Sequence, residues 1–500
     1  MNSNILDPLC THQGTIYQDY NCTLNMTDLG INANKFYIMQ IIDGGTGNYS
    51  LFIRYGRIGE HGRISYTENG DVEVLVNKFK TQFKSKTKNV WDKRGNFIKH
   101  PGKYHLCEIA KNNSIDSSQK KEVKSDLIKK CHLEDRVKEF IELISDLKMM
   151  TRTLKNLNLD MKKMPLGKIS DAQLDRAFDI LQEIKSQIDK NGNLKNLDLV
   201  SEFYTLIPYS CGRRKPPIID NDDLINKFTE MIDEIKNIEI AQDIVKGSND
   251  LLQQQEHPCD RIYKEICTDI KPVNRDSREW KLIAKYLENS HGSTHNNCQV
   301  ELMDIYEINR NSGDGERARY DNFCQERGIE KKMLLWHGTR VSNFISILKM
   351  GLILRPDVLP GTYISGKMFG YGIYGANCFS KSLNYTGWEK GKEACLFLAE
   401  FAIGKQKKLM SHDYYVSEKS LQKDGFDSVW GRGENTINNM INFGSGVLIP
   451  QGKLVKATKH GDEFKGSGYY GNNFNLIYDE FIVYNEAQLC LKYVVKVKCL

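Results

Sequence analysis

Apolar and polar residues alternate in short runs between residues 35 and 106, a pattern that predicts a small antiparallel sheet. Runs such as FYIMQII and YSLFIRYG are separated by the glycine-rich turn DGGTGN. Successive side chains of a strand point to opposite faces, so alternation gathers the apolar set on one buried face. We assign residues 35–106 to a β domain, preceded by an N-terminal segment at 1–34.

The pattern changes twice after this domain. Residues 107–130 are polar and could not repay the entropy of folding alone, so we predict a linker. From residue 131 apolar side chains recur with helical period, and Ser170 and Gln173 form a capping box. We predict an all-helical domain at 131–250, because three stretches have this period. One is the run LINKFTEMIDEIKNIEIAQDIV. The other two are apolar stripes that we assign to the core: Val137, Phe140, Ile141, Ile144, Leu147, and Leu174, Ala177, Phe178, Leu181, Ile184, Ile188.

Residues 257–500 mix both patterns and predict a third, α+β domain. The run REWKLIAKYLEN has helical period, whereas VELMDIYEI, KMLLWHG, FIVYN and KYVVKVKCL have the composition of strands. The predicted fold class is therefore multidomain, with a small antiparallel β domain, an all-α bundle and an α+β domain in that order.

Composition excludes several protein classes. The net charge of +6 is small for 500 residues, so any preference for a charged partner must come from local clusters. The 13 cysteines show neither CxxC spacing nor a Cys/His ladder, so we expect no metal, no disulfide framework and a reducing compartment. No signal peptide or bilayer-length apolar run is visible, and we expect no membrane association.

One basic stretch stands out in the β domain. Between Lys78 and Lys103 nine Lys or Arg residues face a single carboxylate, Asp92, and aromatic residues are interleaved with them. This mixture suits phosphate binding combined with stacking on sugars or bases. A solvated lysine face explains the charge equally well.

The same region resembles the WGR domain of the DNA-dependent poly(ADP-ribose) polymerases. The residues that carry the resemblance are Tyr55-Gly56-Arg57, then KTKNVW at 86–91 and PGKY at 101–104. The resemblance implies binding to DNA breaks through Tyr55, Arg57, Lys86 and Asn89, with Arg57 coupling DNA binding to the rest of the protein. Tyr55 replaces the tryptophan of that family, which leaves a smaller ring to stack.

The helical region is similar to the regulatory domain of the same family. The matching runs are MKKMPLGKIS at 161–170, FYTLIP at 203–208 and KPP at 215–217. The resemblance implies that these helices shield an NAD site until DNA binds.

Three separated motifs of the third domain carry candidate chemistry. His337-Gly338 ends an apolar strand, MFGYGIYGANCFSKSLNY spans 368–385, and Glu480 lies at the mouth of another strand in YDEFIVYN. Cleaving the bond between nicotinamide and ribose requires an anion for the oxocarbenium ion and backbone groups for the amide. Each motif alone has a structural explanation.

Together these motifs resemble the catalytic domain of the poly(ADP-ribose) polymerases, including its His-Tyr-Glu triad of His337, Tyr374 and Glu480. The resemblance implies that His337 holds a ribose, that Gly338 and Ser382 hold the carboxamide, and that Tyr374 and Tyr385 sandwich the nicotinamide ring. Thr339, Ala376 and Lys381 complete the implied NAD-binding set. Glu480 is implied to be the principal catalytic residue, and Met368 and Tyr478 are implied to line an acceptor site. A larger residue at Gly338 is expected to abolish NAD binding while the domain still folds.

These resemblances imply a DNA-break-activated transferase that uses NAD and attaches ADP-ribose to proteins, to itself and to growing poly(ADP-ribose). Two alternatives stay open: the same chemistry stopping at one unit, and a DNA-end-binding scaffold with a silent transferase domain. We expect the protein in the nucleus, or at the site of DNA replication if its origin is viral.

Overall fold

The computed structural model describes residues 6–107, 130–159, 169–194, 197–250, 256–295, 298–310, 315–354, 368–457 and 474–500. The chain divides into two compact units. The first contains Met1–Ser125 and Leu147–Glu239, and the second contains Asp126–Asp146 and Ile240–Leu500. Within the described residues, none of the helices combines the length and the apolar character needed to cross a membrane.

A five-stranded antiparallel sheet organises the first unit. Its strands are β1 (Thr15–Asp28), β2 (Ala33–Asp43), β3 (Tyr49–Arg57), β4 (Arg63–Asn69) and β5 (His105–Leu106), in the spatial order β4-β3-β2-β1-β5. Helix α1 (Val72–Thr87) packs on one face through Leu75, Phe79 and Phe83. Asp71 begins this helix, because its side chain accepts a hydrogen bond from Glu73 N.

The sheet begins earlier than the boundary predicted at residue 35, since β1 and the start of β2 lie before it. The physical reason is that both faces of the second half of β1 are buried. Cys22 and Leu24 pack in the core beneath α1, whereas Asn25 and Thr27 are polar but also buried. A strand whose second face buries hydrogen-bonding side chains lacks the simple alternation by which a strand is identified from sequence.

The aromatic residues of the basic stretch belong to the core. Phe79, Phe83 and Trp91 are almost wholly buried, with ring centroids of Phe79 and Phe83 lying 4.9 and 5.0 Å from that of Trp91. The expectation that these three rings contact sugars or bases is therefore wrong, although Val90 and Ile98 of the same stretch are exposed together with its charged side chains.

The predicted helical domain is divided between the two units. Helices α3 (Leu147–Asn156), α4 (Asp171–Asn191) and α5 (Leu197–Leu206) belong to the first unit, as do the residues of α6 (Asp222–Asp250) up to Glu239. Helix α2 (Asp135–Ile144) belongs to the second unit. The predicted apolar stripes are confirmed except at their last positions: Leu147 belongs to α3, and both Leu147 and Ile188 are only half-buried. The cap at Ser170, whose hydroxyl accepts from Gln173 N, is confirmed.

Helix α2 is bound to the second unit by specific contacts. The ring of Phe140 stacks on Tyr306 at 4.9 Å, and Arg136 Nε donates to Asp304 at 3.0 Å. The helical period predicted α2 correctly, but a stripe of apolar residues does not say which neighbour it packs against.

The second unit is α+β, as predicted. Its helices are α7 (Pro258–Ile266), α8 (Arg278–Asn289), α9 (Glu316–Arg327), α10 (Phe344–Met350), α11 (Phe379–Leu383) and α12 (Glu418–Lys423). Its strands are β6 (Asp269–Pro272), β7 (Val300–Asn309), β8 (Lys332–Gly338), β9 (Ile373–Gly375), β10 (Glu393–Ala402), β11 (Gln406–Leu409), β12 (Ser428–Gly431), β13 (Gly433–Ile437), β14 (Met440–Gly444), β15 (Val447–Pro450), β16 (Leu454–Lys456), β17 (Leu476–Tyr478), β18 (Glu480–Val483) and β19 (Leu489–Cys499).

Three sheets position the candidate site. The largest has the order β14-β15-β8-β10-β19-β7-β6, and a four-stranded sheet has the order β11-β12-β18-β9. The third sheet is β16-β13-β17. Strand β10 lies at the centre of the largest sheet and is buried along nearly its whole length, which explains its run of apolar residues. The site described below lies where the ends of β8, β9 and β18 approach one another.

A buried histidine in the first unit predicts a pH dependence of stability. Burial lowers the pKa of His105 from 6.5 to about 4, and the positive charge of Lys99 adds to this effect. The folded chain therefore keeps the imidazole neutral while the unfolded chain takes up a proton, so stability present above about pH 6.5 is lost as pH falls towards 4. We expect this group to lower the free energy of unfolding by at most about 3 kcal/mol over that range.

The measurement is the unfolding midpoint at a series of pH values, monitored through amide exchange in β1 and β5. His105→Gln should show a shallower loss than the parent chain, and His61→Gln, at an exposed position, should follow the parent. Equal slopes for His105→Gln and the parent would contradict the assignment.

Candidate active site

The imidazole of His337 is oriented by a neighbouring strand. The residues that precede it in β8, Met333 to Trp336, are buried, so the strand brings His337 to the edge of the core. His337 Nδ1 lies 2.9 Å from the carbonyl oxygen of Tyr374. A carbonyl can only accept, so Nδ1 carries the proton and Nε2 of the neutral ring is the acceptor nitrogen.

Gly338 lies in direct contact with the backbone of α11. A Cβ atom at this position would come 1.7 Å from the carbonyl oxygen of Ser382. The missing side chain is therefore required by the packing of the protein itself. Ser382 is buried, and its hydroxyl donates to the carbonyl of Trp336 at 3.2 Å, which fastens α11 to β8 from the other side.

Tyr374 is fixed by its phenol as well as by its strand. The phenol donates to the carbonyl oxygen of Gly370 at 2.8 Å and accepts from Phe369 N at 3.1 Å. Burial raises the pKa of Tyr374 well above its usual value, so the phenol stays protonated. Its backbone pairs with Ile482 of β18, which places β9 beside the strand that begins with Glu480.

Glu480 forms an ion pair with Lys381. Lys381 Nζ lies 2.8 Å from Glu480 Oε1, and it also donates to the carbonyl oxygen of Tyr478 at 2.9 Å. Both side chains of the pair are largely buried. The resemblance assigned Lys381 to NAD binding only; its pairing with the carboxylate was missed, since no local pattern marks an ion pair between residues 99 positions apart in the chain.

The predicted site residues form one connected group. Trp336 and Ala376 exchange two backbone hydrogen bonds of 2.9 Å, which join β8 to the segment after Tyr374. Thr339 follows β8, and its hydroxyl accepts from Asn343 at 2.9 Å. Tyr385 lies just beyond α11 with 56% of its surface exposed. These contacts run from His337 through Tyr374 and Glu480 to Lys381, Ser382 and back to Gly338.

The two predicted acceptor residues occupy different environments. Met368 is partly buried beside Phe369, and its carbonyl accepts from Asp413 N at 2.8 Å. Tyr478 is only 3% exposed, and its phenol oxygen lies 2.8 Å from the hydroxyl of Thr294. The structure therefore turns the Tyr478 ring inward, and this residue reaches Lys381 through its backbone.

The candidate DNA-binding residues of the first unit also differ in what they contact. Tyr55 is 39% exposed and stacks on Tyr37, whose ring also lies 4.6 Å from Lys86 Nζ. Asn89 exchanges hydrogen bonds with the backbone of Ile98 at 2.7 and 2.9 Å. Tyr55 and the half-buried Lys86 thus both contact the Tyr37 ring, whereas the Asn89 amide holds a loop of the protein.

Arg57 contacts the helical part of the first unit. Its guanidinium donates to the carbonyl oxygens of Gly212 and Arg214, and also to the carbonyl of Asn32 at 2.9 Å. These bonds occupy most of its donors within the protein. The Arg57 guanidinium is therefore engaged mainly by backbone of the same unit, and its roles in DNA binding and coupling stay predictions.

Three families of known protein domains match this chain, in the same order as the predicted domains. Residues 20–98 match the model of the WGR domain, residues 131–263 match that of the poly(ADP-ribose) polymerase regulatory domain, and residues 277–499 match that of the poly(ADP-ribose) polymerase catalytic domain. The three matches define a transferase with two accessory domains. The WGR match also includes most of β1.

Similar full-length proteins agree with these matches. The chain is 33% identical to "Poly [ADP-ribose] polymerase 2" of Homo sapiens over 99% of this chain and 83% of the relative. It is 32% identical to "Poly [ADP-ribose] polymerase 2" of Zea mays over 96% and 70%. With "Poly [ADP-ribose] polymerase 1" of Xenopus laevis the identity is 33%, over 96% of this chain and 46% of the relative, so the chain spans about half of that protein.

The chain belongs to the poly(ADP-ribose) polymerase family. It is an ADP-ribosyltransferase with NAD as the donor substrate, and the comparisons favour polymer formation over the single-unit and scaffold alternatives. Among the described residues, no group of three or more His, Cys, Asp or Glu side chains is arranged to hold a metal ion.

The contact at Gly338 changes what a substitution there should do. Because a Cβ would overlap the Ser382 backbone, Gly338→Ala must shift α11 or β8, so a loss of stability is expected in addition to the predicted loss of NAD binding. We expect a loss of stability of about 2 kcal/mol or more, seen as a lower thermal midpoint. Gly247→Ala, at an exposed helical position with open space around it, should leave the midpoint unchanged or raise it slightly. Equal midpoints for the two variants would show that the contact is unimportant.

Proposed function

We propose that this chain is a poly(ADP-ribose) polymerase activated by DNA breaks, which modifies proteins, itself and growing ADP-ribose chains. The observation that carries the proposal is the ion pair of Glu480 and Lys381, joined through paired strands to the His337–Tyr374 contact. A carboxylate, an oriented imidazole and exposed backbone converge in one place, as cleavage of a nicotinamide glycoside requires.

Glu480 is the group that acts on the reacting sugar. The leaving nicotinamide is neutral once the bond to ribose breaks, so departure needs no general acid; the positive charge left on the ribose needs an anion. Glu480 supplies that anion and accepts a hydrogen bond from a ribose hydroxyl. Lys381 fixes the rotamer of the carboxylate, because its ammonium is itself held by the Tyr478 carbonyl.

The remaining residues hold the donor. His337 Nε2 accepts a hydrogen bond from the second ribose, since Nδ1 is the protonated nitrogen. Gly338 presents backbone to the carboxamide with Ser382 beside it, and Tyr374 and Tyr385 take the two faces of the nicotinamide ring. Thr339 and Ala376 border the same pocket, while Met368 and the Tyr478 backbone face the acceptor.

DNA breaks are the proposed activator. Tyr55 and Lys86 both contact the ring of Tyr37 and offer a ring and a charge, a combination that suits a sugar and a phosphate at a DNA end. Arg57 follows Tyr55 after one residue and grips the 212–214 backbone, so movement at the DNA site reaches the regulatory helices. By the resemblance to the family's regulatory domain, the helices restrain activity until DNA binds. A nuclear location follows from DNA as the proposed activator.

Replacing Glu480 by Gln tests the catalytic assignment. The glutamine side chain would keep the shape but lose the charge that stabilises the oxocarbenium ion, so we expect kcat with nicked DNA to fall about 100-fold or more and chain extension to be lost first. The measurement is incorporation of labelled NAD, resolved as a ladder on a gel. Glu301→Gln, on the exposed side of β7, is the matched control and should behave like the parent. A Glu480→Gln variant that still forms long ladders would exclude this role.

Replacing Arg57 by Gln tests the coupling. Because the Arg57 bonds lie inside the protein, we expect Arg57→Gln to bind nicked DNA within about threefold of the parent but to lose about tenfold or more of the DNA stimulation. Arg63→Gln removes the same charge from an exposed position opposite Tyr55 and should change activation only as far as it changes binding. Parallel losses of binding and activation in Arg57→Gln would contradict the coupling role.

A further inference from the structure

Residues 430–432 lie opposite residues 479–481, the segment that contains Glu480. Strand β12 pairs with β18 so that Trp430 lies opposite Phe481 and Gly431 lies opposite Glu480. The residue after β12, Arg432, is thereby brought beside Asp479, the residue before Glu480. Each neighbour of the catalytic carboxylate thus has its own partner on the other strand.

Asp479 is fully buried and its carboxylate is held from several directions. Gly433 N donates to Oδ1 at 2.8 Å, Asn377 Nδ2 donates to Oδ2 at 3.1 Å, and the hydroxyl of Thr436 donates to Oδ2. Arg432 lies 3.7 Å from Oδ2. Burial raises the pKa of Asp479, and the four partners oppose that shift.

The other side of Glu480 is held by stacked rings. The indole of Trp430 stacks on Phe481 with centroids 5.7 Å apart and planes 18° from parallel. The guanidinium of Arg432 lies over the same indole at 4.5 Å, and its NH1 donates to Thr436 at 3.0 Å. One arginine therefore connects the contacts on both sides of the carboxylate.

Asn377 extends this network to the second half of the site. It lies between Tyr374 and Lys381 in the chain and is fully buried. Its hydrogen bond to Asp479 therefore ties the segment that carries those two residues to the strand that carries Glu480. The position opposite Glu480, Gly431, has no side chain, and Phe369 occupies the space that a Cβ would need.

We propose that Asp479 is a positioning residue for Glu480, acting with Asn377 and Arg432 to fix the carboxylate against the segment that holds Tyr374 and Lys381. This inference rests on the catalytic role proposed for Glu480. Its physical basis is that a displacement of about 1 Å at a reacting group can cost about 100-fold in rate. Asp479 does not itself touch the substrate, so its loss should change the rate without changing how the nicotinamide site binds.

The test is Asp479→Asn in the full chain with nicked DNA. The asparagine side chain would keep the volume but present an amide to three donors. We therefore expect kcat, normalised to the concentration of protein that binds nicotinamide, to fall at least about tenfold. Stoichiometry and affinity for nicotinamide, from calorimetry, should stay within about twofold of the parent, because the Tyr374 ring keeps its own hydrogen bonds to Phe369 and Gly370. Asp424→Asn, an exposed carboxylate of the same unit, is the matched control. Should Asp479→Asn not fold, Thr436→Val removes one donor from the same carboxylate and is judged by the same criteria.

The double variant Asn377→Asp with Asp479→Asn exchanges the two partners and lets an amide donate to a carboxylate again. If the two residues act as a positioning pair, the double variant should react faster than Asp479→Asn alone. The inference is overturned if the double variant recovers no rate, or if Asp479→Asn loses rate and nicotinamide affinity equally. Glu480→Gln separates the two proposals. If Glu480→Gln is inactive while Asp479→Asn matches the control, only the positioning inference fails, and if Glu480→Gln is fully active the catalytic proposal fails as well.

Discussion

The ion pair of Glu480 and Lys381 is the constraint around which the second unit is built. Removing two charges from water carries a desolvation penalty that their attraction offsets only when geometry and hydrogen bonding are good. Here Lys381 is also bonded to the Tyr478 carbonyl, and Glu480 lies in a strand paired on both sides, with β12 and with β9. The carboxylate is thus held in one position, which is the condition for electrostatic stabilisation of a cation without reorganisation at the moment of reaction.

Close backbone packing supplies the rest of the geometry. At Gly338 and Gly431 the space of a Cβ is taken by a neighbouring chain segment or ring, so β8 approaches α11 and β12 approaches Phe369 more closely than other residues allow. Such contacts make the site stiff. They also mean that a glycine which looks like an opening for substrate in the sequence serves the protein's own packing first.

The first unit uses a different kind of interface between its sheet and its helices. Thr27 N donates to Thr205, Asn34 donates to the Tyr209 carbonyl, and Arg57 donates to the 212–214 backbone. When an interface made of hydrogen bonds opens, water replaces the lost partners, so opening costs less free energy than opening an apolar interface of the same area. Such an interface suits a conformational change that must pass from a surface residue to a helix.

The sequence by itself determined the element types, their order and the chemistry of the site. Helical period predicted α2 and α4, alternation predicted β2 and β3, and three separated motifs with their family resemblance indicated His337, Tyr374 and Glu480. Periodicity reports which face of an element is buried, and that is a local property.

Tertiary structure decided the partners. It showed that β1 belongs to the sheet, that α2 packs in the second unit, that the aromatic residues near Trp91 are core, and that Arg57 contacts backbone instead of facing outward. It also revealed Lys381 against Glu480 and Asp479 against Asn377, pairs separated by about a hundred residues. Contacts of that kind depend on how strands pair and how side chains are buried, and these are properties of the folded chain as a whole that no single stretch of residues encodes.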